Sequence, residues 1–280
     1  MNADVKALVF DVFGTVVDWR GSIAREVRAL AREKDWRVNA MKFADAWRAG
    51  YRPAMDRVAG GELPWTRIDD LHRMILDDIL VKFKLGSLTE NEKAHLNRAW
   101  HRLQPWPDSV RGLKRLKKRY TIATLSNGNV ALLNNMAKHA GLPWDLILSA
   151  EIFHHYKPDP EAYLGAADIL GLRPGDVMMV AAHKDDLTHA ARQGLRTALV
   201  LPCGVPQIVL VRRHQHDLPG REAQYLRRAE IGFGVRLIVM KNFRRQNQVP
   251  RQAGMFGHVV EQRDIAVRQR RDGVTFFQAF

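Results

Sequence analysis

Four short stretches carry side chains that could do chemistry, and three of the four directly follow an apolar run. Ala7-Leu8-Val9-Phe10 leads into Asp11, with Gly14 and Thr15 just beyond. The run that ends at Leu125 is followed by Ser126-Asn127-Gly128-Asn129. Lys157 lies in the loop Tyr156-Lys157-Pro158-Asp159-Pro160, and Asp176 to Ala181 leads to His183-Lys184-Asp185-Asp186. Open α/β sheets place their ligands at the carboxyl ends of their strands, so carboxylates, hydroxyls, an amide and an ammonium could line one crevice. Each also has a plainer reading. Asp11 could cap a helix, Ser126-Asn127-Gly128 is an ordinary turn signal, Lys157 could be a solvated loop residue, and Asp185-Asp186 could cap the following helix.

These groups need a scaffold to bring them together, and the apolar patterning describes one. Residues 7–10 read as a strand buried on both faces, as in a parallel sheet. Residues 120–125, 146–149, 176–181 and 197–201 read as further strands, alternating with helices over 130–139, 161–170 and 187–193. The fold class is therefore α/β, a doubly wound parallel sheet with a Rossmann-like core. Between the first strand unit and the next lie four helical segments, at 22–36, 43–58, 66–83 and 89–103. The last opens on Thr89 with Glu92 as a capping box. This is the pattern of an inserted helical cap, giving a core of residues 1–18 and 104–201 with a cap of 19–103.

Composition sets outer bounds. No apolar run approaches the ~20 residues that span a bilayer. Cys203 is the single cysteine, which excludes an internal disulfide and a cysteine-rich zinc site. No basic leader precedes the first strand, and a cytoplasmic protein is expected. The formal charge is +14, and over half of the excess lies in residues 199–280, which hold 13 Arg, one Lys and six acidic residues. That stretch also holds nine of the 11 Gln and none of the seven Trp. Strand-like fragments occur at 205–211 and 235–240, but no helix there has a clean apolar face. Residues 202–280 are expected to be an atypical, poorly ordered Arg/Gln-rich tail. A polyanion could bind it, but no stacking platform or nucleic-acid motif supports that, and nucleic acid is not an expected partner.

In the order of its strand-end groups the chain resembles the haloacid dehalogenase superfamily, and within it the type II L-2-haloacid dehalogenases, over roughly residues 5–201. The resemblance rests on Phe10-Asp11-Val12-Phe13-Gly14-Thr15, Leu125-Ser126-Asn127-Gly128 and Tyr156-Lys157-Pro158-Asp159-Pro160, with Trp47-Arg48 matching a substrate-facing arginine. It implies hydrolysis of short 2-haloalkanoic acids through an ester on Asp11. Lys157 would keep Asp11 ionised, and Asp186 would orient Lys157 or the hydrolytic water. Thr15 and Ser126 would hydrogen-bond the carboxylates, Arg48 and Asn127 would receive the halide, and Tyr163 would line the pocket. No cofactor or metal is implied, and relatives are typically homodimers.

Phe13 separates this chemistry from its nearest alternative. Phosphatases of the superfamily carry a second aspartate at that position to protonate the leaving alkoxide, and Phe13 cannot donate a proton. A halide leaves without one. A magnesium-dependent phosphatase using Asp11 with Asp185 or Asp186 is the alternative. The chain departs from many relatives at Ala181 and His183, where they have Ser and Asn, and His183 would take the place of that Asn as a polar group at the substrate and halide site. It also departs after Leu201, where their final strand and helix are not recognisable, so the sheet would lack an edge element.

Overall fold

The computed structural model describes residues 5–85, 88–200, 208–212, 230–231 and 235–240. The chain opens with β1 (Ala7–Phe10) and β2 (Val17–Asp18), then α1 (Trp19–Glu33), α2 (Ala40–Ala49), α3 (Tyr51–Ala59), α4 (Ile68–Lys82) and α5 (Glu90–Asn97). A 3-10 turn over Arg98–Arg102 leads to β3 (Gln104–Pro105) and α6 (Ser109–Leu116). Then come β4 (Thr121–Ser126), α7 (Val130–Ala140), β5 (Leu146–Ser149), α8 (Ala150–Phe153) and α9 (Pro160–Ile169). The core continues with β6 (Val177–Ala181), α10 (Lys184–Arg192) and β7 (Arg196–Leu199), followed by β8 (Ile208–Arg212), β9 (Glu230–Ile231) and β10 (Val235–Met240).

β1 lies at the centre, parallel to β4 on one side and β6 on the other, with Phe10 level with Thr124 and Val180. β5 and β7 extend the parallel sheet outward. All four residues of β1 are buried. Their alternation divides them between two cores, Leu8 and Phe10 packing with Ile122 and Val180 on one face, and Val9 with Ala123, Leu125 and Met179 on the other. Each such fully buried aliphatic or aromatic side chain contributes about 1.5–3 kcal/mol. With both faces covered, every parallel strand delivers its carboxyl end to the same edge. Beyond β7 the sheet continues, with β8 antiparallel to it and β10 parallel to β8. The expected missing edge is therefore filled, and the strands overlap the two strand-like fragments read from the tail. The rest of residues 202–280 lies outside the described residues, and with it the expectation of a poorly ordered tail.

The helices α1–α5 interrupt the sheet between β1 and β4. Where the chain leaves and returns, β2 and β3 pair antiparallel. The segment expected as one helix over 43–58 is two, α2 and α3, meeting at Gly50. A Cβ at Gly50 would fall 2.5 Å from Ile75 Cγ2, so only glycine lets this corner close on α4. The Thr89–Glu92 capping box forms in both directions, and the helix it opens tightens into the 3-10 turn before Leu103. Among the described residues no helix is long and apolar enough to cross a membrane.

Candidate active site

The first turn after β1 sets the site. Asp11 donates its backbone N–H to Val180 O, continuing the ladder, while its side chain projects beyond the strand end. Gly14 adopts φ +86°, a left-handed conformation that folds the chain back at once, with Gly14 N–H bonded to Val17 O at 3.0 Å. The turn brings Thr15 against Asp11. Thr15 Oγ1 donates to Asp11 Oδ2 at 2.8 Å and accepts from Ala182 N–H at 2.9 Å, tying the end of β6 to the carboxylate.

Lys157 occupies the space between two carboxylates. Its Nζ lies 3.1 Å from Asp11 Oδ1 and 2.5 Å from Asp186 Oδ2. Tyr163 OH donates to the other Asp186 oxygen at 2.7 Å. The Lys157 backbone is held in turn by Asn127, whose Oδ1 accepts from Lys157 N–H at 2.7 Å and whose Nδ2 donates to Lys157 O at 3.1 Å. The result is a continuous chain from Thr15 through Asp11, Lys157 and Asp186 to Tyr163, almost all of it out of water.

Burial alone would raise the Asp11 carboxyl. The Lys157 ammonium, with help from His183 and the Thr15 hydroxyl, outweighs that and holds Asp11 below the usual carboxylate range. At Asp186 burial prevails, and the Asp11 charge adds to it, so that carboxyl is raised. Burial also opposes the Lys157 charge, but the two carboxylates overcome it and hold the ammonium above its ordinary range. The Tyr163 phenol is pushed up by burial and by Asp186. The site is therefore polarised, with an ionised carboxylate at Asp11 and a more basic one at Asp186.

The other expected residues are placed less uniformly. Ser126 is buried, but its Oγ accepts from Gly128 N–H at 3.3 Å, and no bond from it to Asp11 is found among the described residues. Tyr163, expected to line a pocket, is fully buried and braces Asp186 instead. Asn127 is committed to the Lys157 backbone and also donates to Met55 Sδ at 3.4 Å. His183 is half exposed, with Nε2 bonded to Phe13 O at 3.0 Å and 3.7 Å from Asp11 Oδ2. Asp186 lies within the first turn of α10, which begins three residues before the start read from the sequence. Acidic side chains in a first turn are favoured by the helix dipole.

Arg48, near the end of α2, sits in an aromatic enclosure that the sequence did not reveal. Its guanidinium carbon lies 4.1 Å from the centre of the Tyr51 ring and 5.7 Å from that of Trp19. Trp19 stacks on Trp100, Trp100 stacks on His72 at 4.2 Å, and His72 faces Tyr51 at 5.8 Å. Arg48 Nη1 is buried without a hydrogen-bond partner among the described residues, as are Trp100 Nε1 and both His72 ring nitrogens. Burial pushes His72 down to about 3, so its ring is neutral. Phe13 is buried, edge-on to Trp100 at 6.1 Å. Among the described residues no carboxylate pairs with the Arg48 guanidinium, which is held by the rings.

The family of haloacid dehalogenase-like hydrolases matches residues 5–194. Among curated proteins, (S)-2-haloacid dehalogenase 4A of Burkholderia cepacia is 31% identical over 214 residues, 74% of this chain and 87% of that protein. (S)-2-haloacid dehalogenase 1 of a Pseudomonas species is 30% identical over 222 residues, 76% of this chain and 92% of its own. Among solved structures, a defluorinating L-2-haloacid dehalogenase is 49% identical, with a TM-score of 0.70 over 71% of this chain and 82% of that one. The chain belongs to the haloacid dehalogenase-like hydrolases and, within them, to the (S)-2-haloacid dehalogenases, hydrolases of carbon–halide bonds.

Proposed function

We propose that the protein converts short 2-haloalkanoic acids to 2-hydroxy acids through an ester formed on Asp11. The observation that carries this reading is a buried Asp11 carboxylate, kept ionised by Lys157 and Thr15, with Phe13 two positions on where a proton donor would stand. An Asp11 oxygen attacks the halogen-bearing carbon, and the halide leaves with the bonding pair. Water then adds to the Asp11 carbonyl carbon, the alcohol of the hydroxy acid departs, and the carboxylate is regenerated with net release of one proton. Asp186, the more basic carboxylate, is the group suited to orient that water and accept its proton. The substrate is itself an anion. Arg48 supplies the opposing charge, for the substrate carboxylate on entry or the halide on departure, and burial makes that charge more effective than in water.

A phosphate ester would demand protonation of its leaving group, and Phe13 offers none. The helices α1–α5 act in this reading as a cap bringing Arg48 over the sheet edge, with a cap of 19–103 and a core of 1–18 and 104–201. A homodimer is carried over from the family resemblance alone, and the lone Cys203 suits the cytoplasm. The test is halide release from 2-chloropropionate without added metal, beside Asp11→Asn. A single turnover in ¹⁸O-labelled water with enzyme in excess should leave the label in Asp11, not in the product hydroxyl. Label in the product on that first turnover would exclude the ester.

A further inference from the structure

The stretch that leads into α4 grips the site from outside, at two points. On one side, the Trp65 ring lies 4.6 Å from that of Tyr156 and stacks on His154 at 5.3 Å, and Tyr156 OH donates to Thr66 O. Tyr156 is the residue immediately before Lys157. On the other side, Asp69 and Asn129 exchange two hydrogen bonds. Asn129 Nδ2 donates to Asp69 Oδ2 at 2.9 Å, and Asp69 N–H donates to Asn129 Oδ1 at 3.2 Å. Asn129 is two residues from Asn127. The two gripped loops are the same two that Asn127 joins to each other through the Lys157 backbone.

Asp69 is itself held. His101 Nε2 lies 3.0 and 3.1 Å from its two oxygens, and Asn97 Nδ2 donates to its backbone carbonyl at 2.9 Å. His101 Nδ1 accepts from Asn135 Nδ2 at 3.0 Å, so Nε2 carries the proton and donates to the carboxylate. Burial works against the Asp69 charge, but His101 and Asn129 outweigh it and hold the carboxyl below its usual range. One carboxylate thus ties α4, the 3-10 turn after α5 and the N-terminus of α7 together. A surface aspartate needs no such set of partners. Among the described residues no hydrogen bond or ion pair joins Asp69, Asn97, His101 or Asn129 to Asp11, Lys157 or Asp186.

We infer that Asp69 is a positioning residue for the reaction, clamping α4 to the loop after β4 so that Asn127 holds the Lys157 backbone in register with Asp11. The inference rests on the dehalogenase reading for its kinetic effect and on the geometry alone for its structural one. Lys157 must place one ammonium between two carboxylates, and a shift of its backbone by ~1 Å is enough to cost about 100-fold in rate. Releasing the clamp loosens both loops at once.

The experiment compares Asp69→Ala, Asp69→Asn and the exchange Asp69→Asn/Asn129→Asp in the full chain. The first readout is halide release from 2-chloropropionate. Asp69→Ala should lower kcat by about 10- to 100-fold with KM changed less than ~3-fold, and the exchange, which preserves a paired amide and carboxylate, should recover most of that loss. The second readout is amide hydrogen exchange, which needs no substrate. Exchange should quicken at residues 127–131 and 154–158 in Asp69→Ala and stay unchanged in α1. Local exchange like that of the wild type, or an exchange variant as impaired as Asp69→Ala, overturns the inference. If Asp69→Ala fails to fold, Asp69→Asn carries the same two readouts. Wild type that releases no halide defeats the dehalogenase reading, and the exchange data still decide the clamp.

Discussion

Replacing Lys157 with methionine keeps the stem of the side chain and removes its charge. The ammonium lies 3.1 Å from Asp11 Oδ1, and at an effective dielectric of about 20 the gross attraction is about 5 kcal/mol. Entry of water and movement of Asp186 would offset part of this. Burial is the largest influence on Asp11 and the ammonium the largest that opposes it, so losing the ammonium should reverse the present balance. The Asp11 carboxyl should then rise, as buried unpaired carboxyls do. Part of the nucleophile would then carry a proton, the ammonium that steadies its charge would be gone, and the two losses together should lower kcat about 100-fold or more. The sign with pH follows. In wild type the carboxyl is lowered, so the rate does not depend on its ionisation near neutrality. In Lys157→Met the ionised fraction grows as pH increases, so the rate should climb between pH 6 and 9. The assay is halide release across that range, with circular dichroism to confirm folding. Turnover within ~3-fold of wild type would refute the reasoning, and so would a loss that is equal at every pH.

Two further outcomes follow from the aromatic enclosure. Arg48→Lys keeps the charge but loses the planar group that stacks on Tyr51, and KM for 2-chloropropionate should rise about 10-fold or more with a smaller change in kcat; steady-state kinetics with an unchanged KM would show that Arg48 does not meet the substrate. His72, pushed down to about 3 by burial from an ordinary 6.5, charges more readily in the unfolded chain, so its contribution to stability is complete above pH 6.5 and is lost as pH falls from there toward 3. By pH 5 the loss through this one group is about 2 kcal/mol. Denaturant unfolding at pH 7.5 and 5 should therefore show a smaller acid loss in His72→Phe, and equal losses in the two proteins would contradict the assignment.

How much of this was legible in the sequence depends on the range of the interaction concerned. Asp11, Thr15, Ser126, Asn127 and the Lys157 loop each follow a strand or precede a helix, and turn chemistry is local, so residue type and order were enough to place them at one sheet edge. Helix ends were also readable where a cap announces them, as at Thr89. The break at Gly50 was not, because it is required by the approach of Ile75 from another helix. Tyr163 could be assigned to the site but not to Asp186, since the direction of a side chain from a helix depends on how that helix packs. The enclosure of Arg48 by Trp19, Tyr51, His72 and Trp100 joins residues from four segments, and nothing in the order of residues links them. Asp69 gave no signal at all, being one of two acidic residues in an ordinary first turn.

The central place of β1 also bears on how the chain is made. Asp11 and Lys157 stand 146 positions apart, and the strand that presents Asp11 has neither neighbour until β4 and then β6 have been synthesised. A strand apolar on both sides leaves the ribosome before either of its partners, and it must wait while roughly 110 residues follow at ~5–20 residues per second. For several seconds it is an unpaired, adhesive segment. The five helices that come next make mostly local contacts and can fold during that interval. The insertion thus gives the nascent chain folded bulk beside its most exposed strand before the sheet exists to receive it.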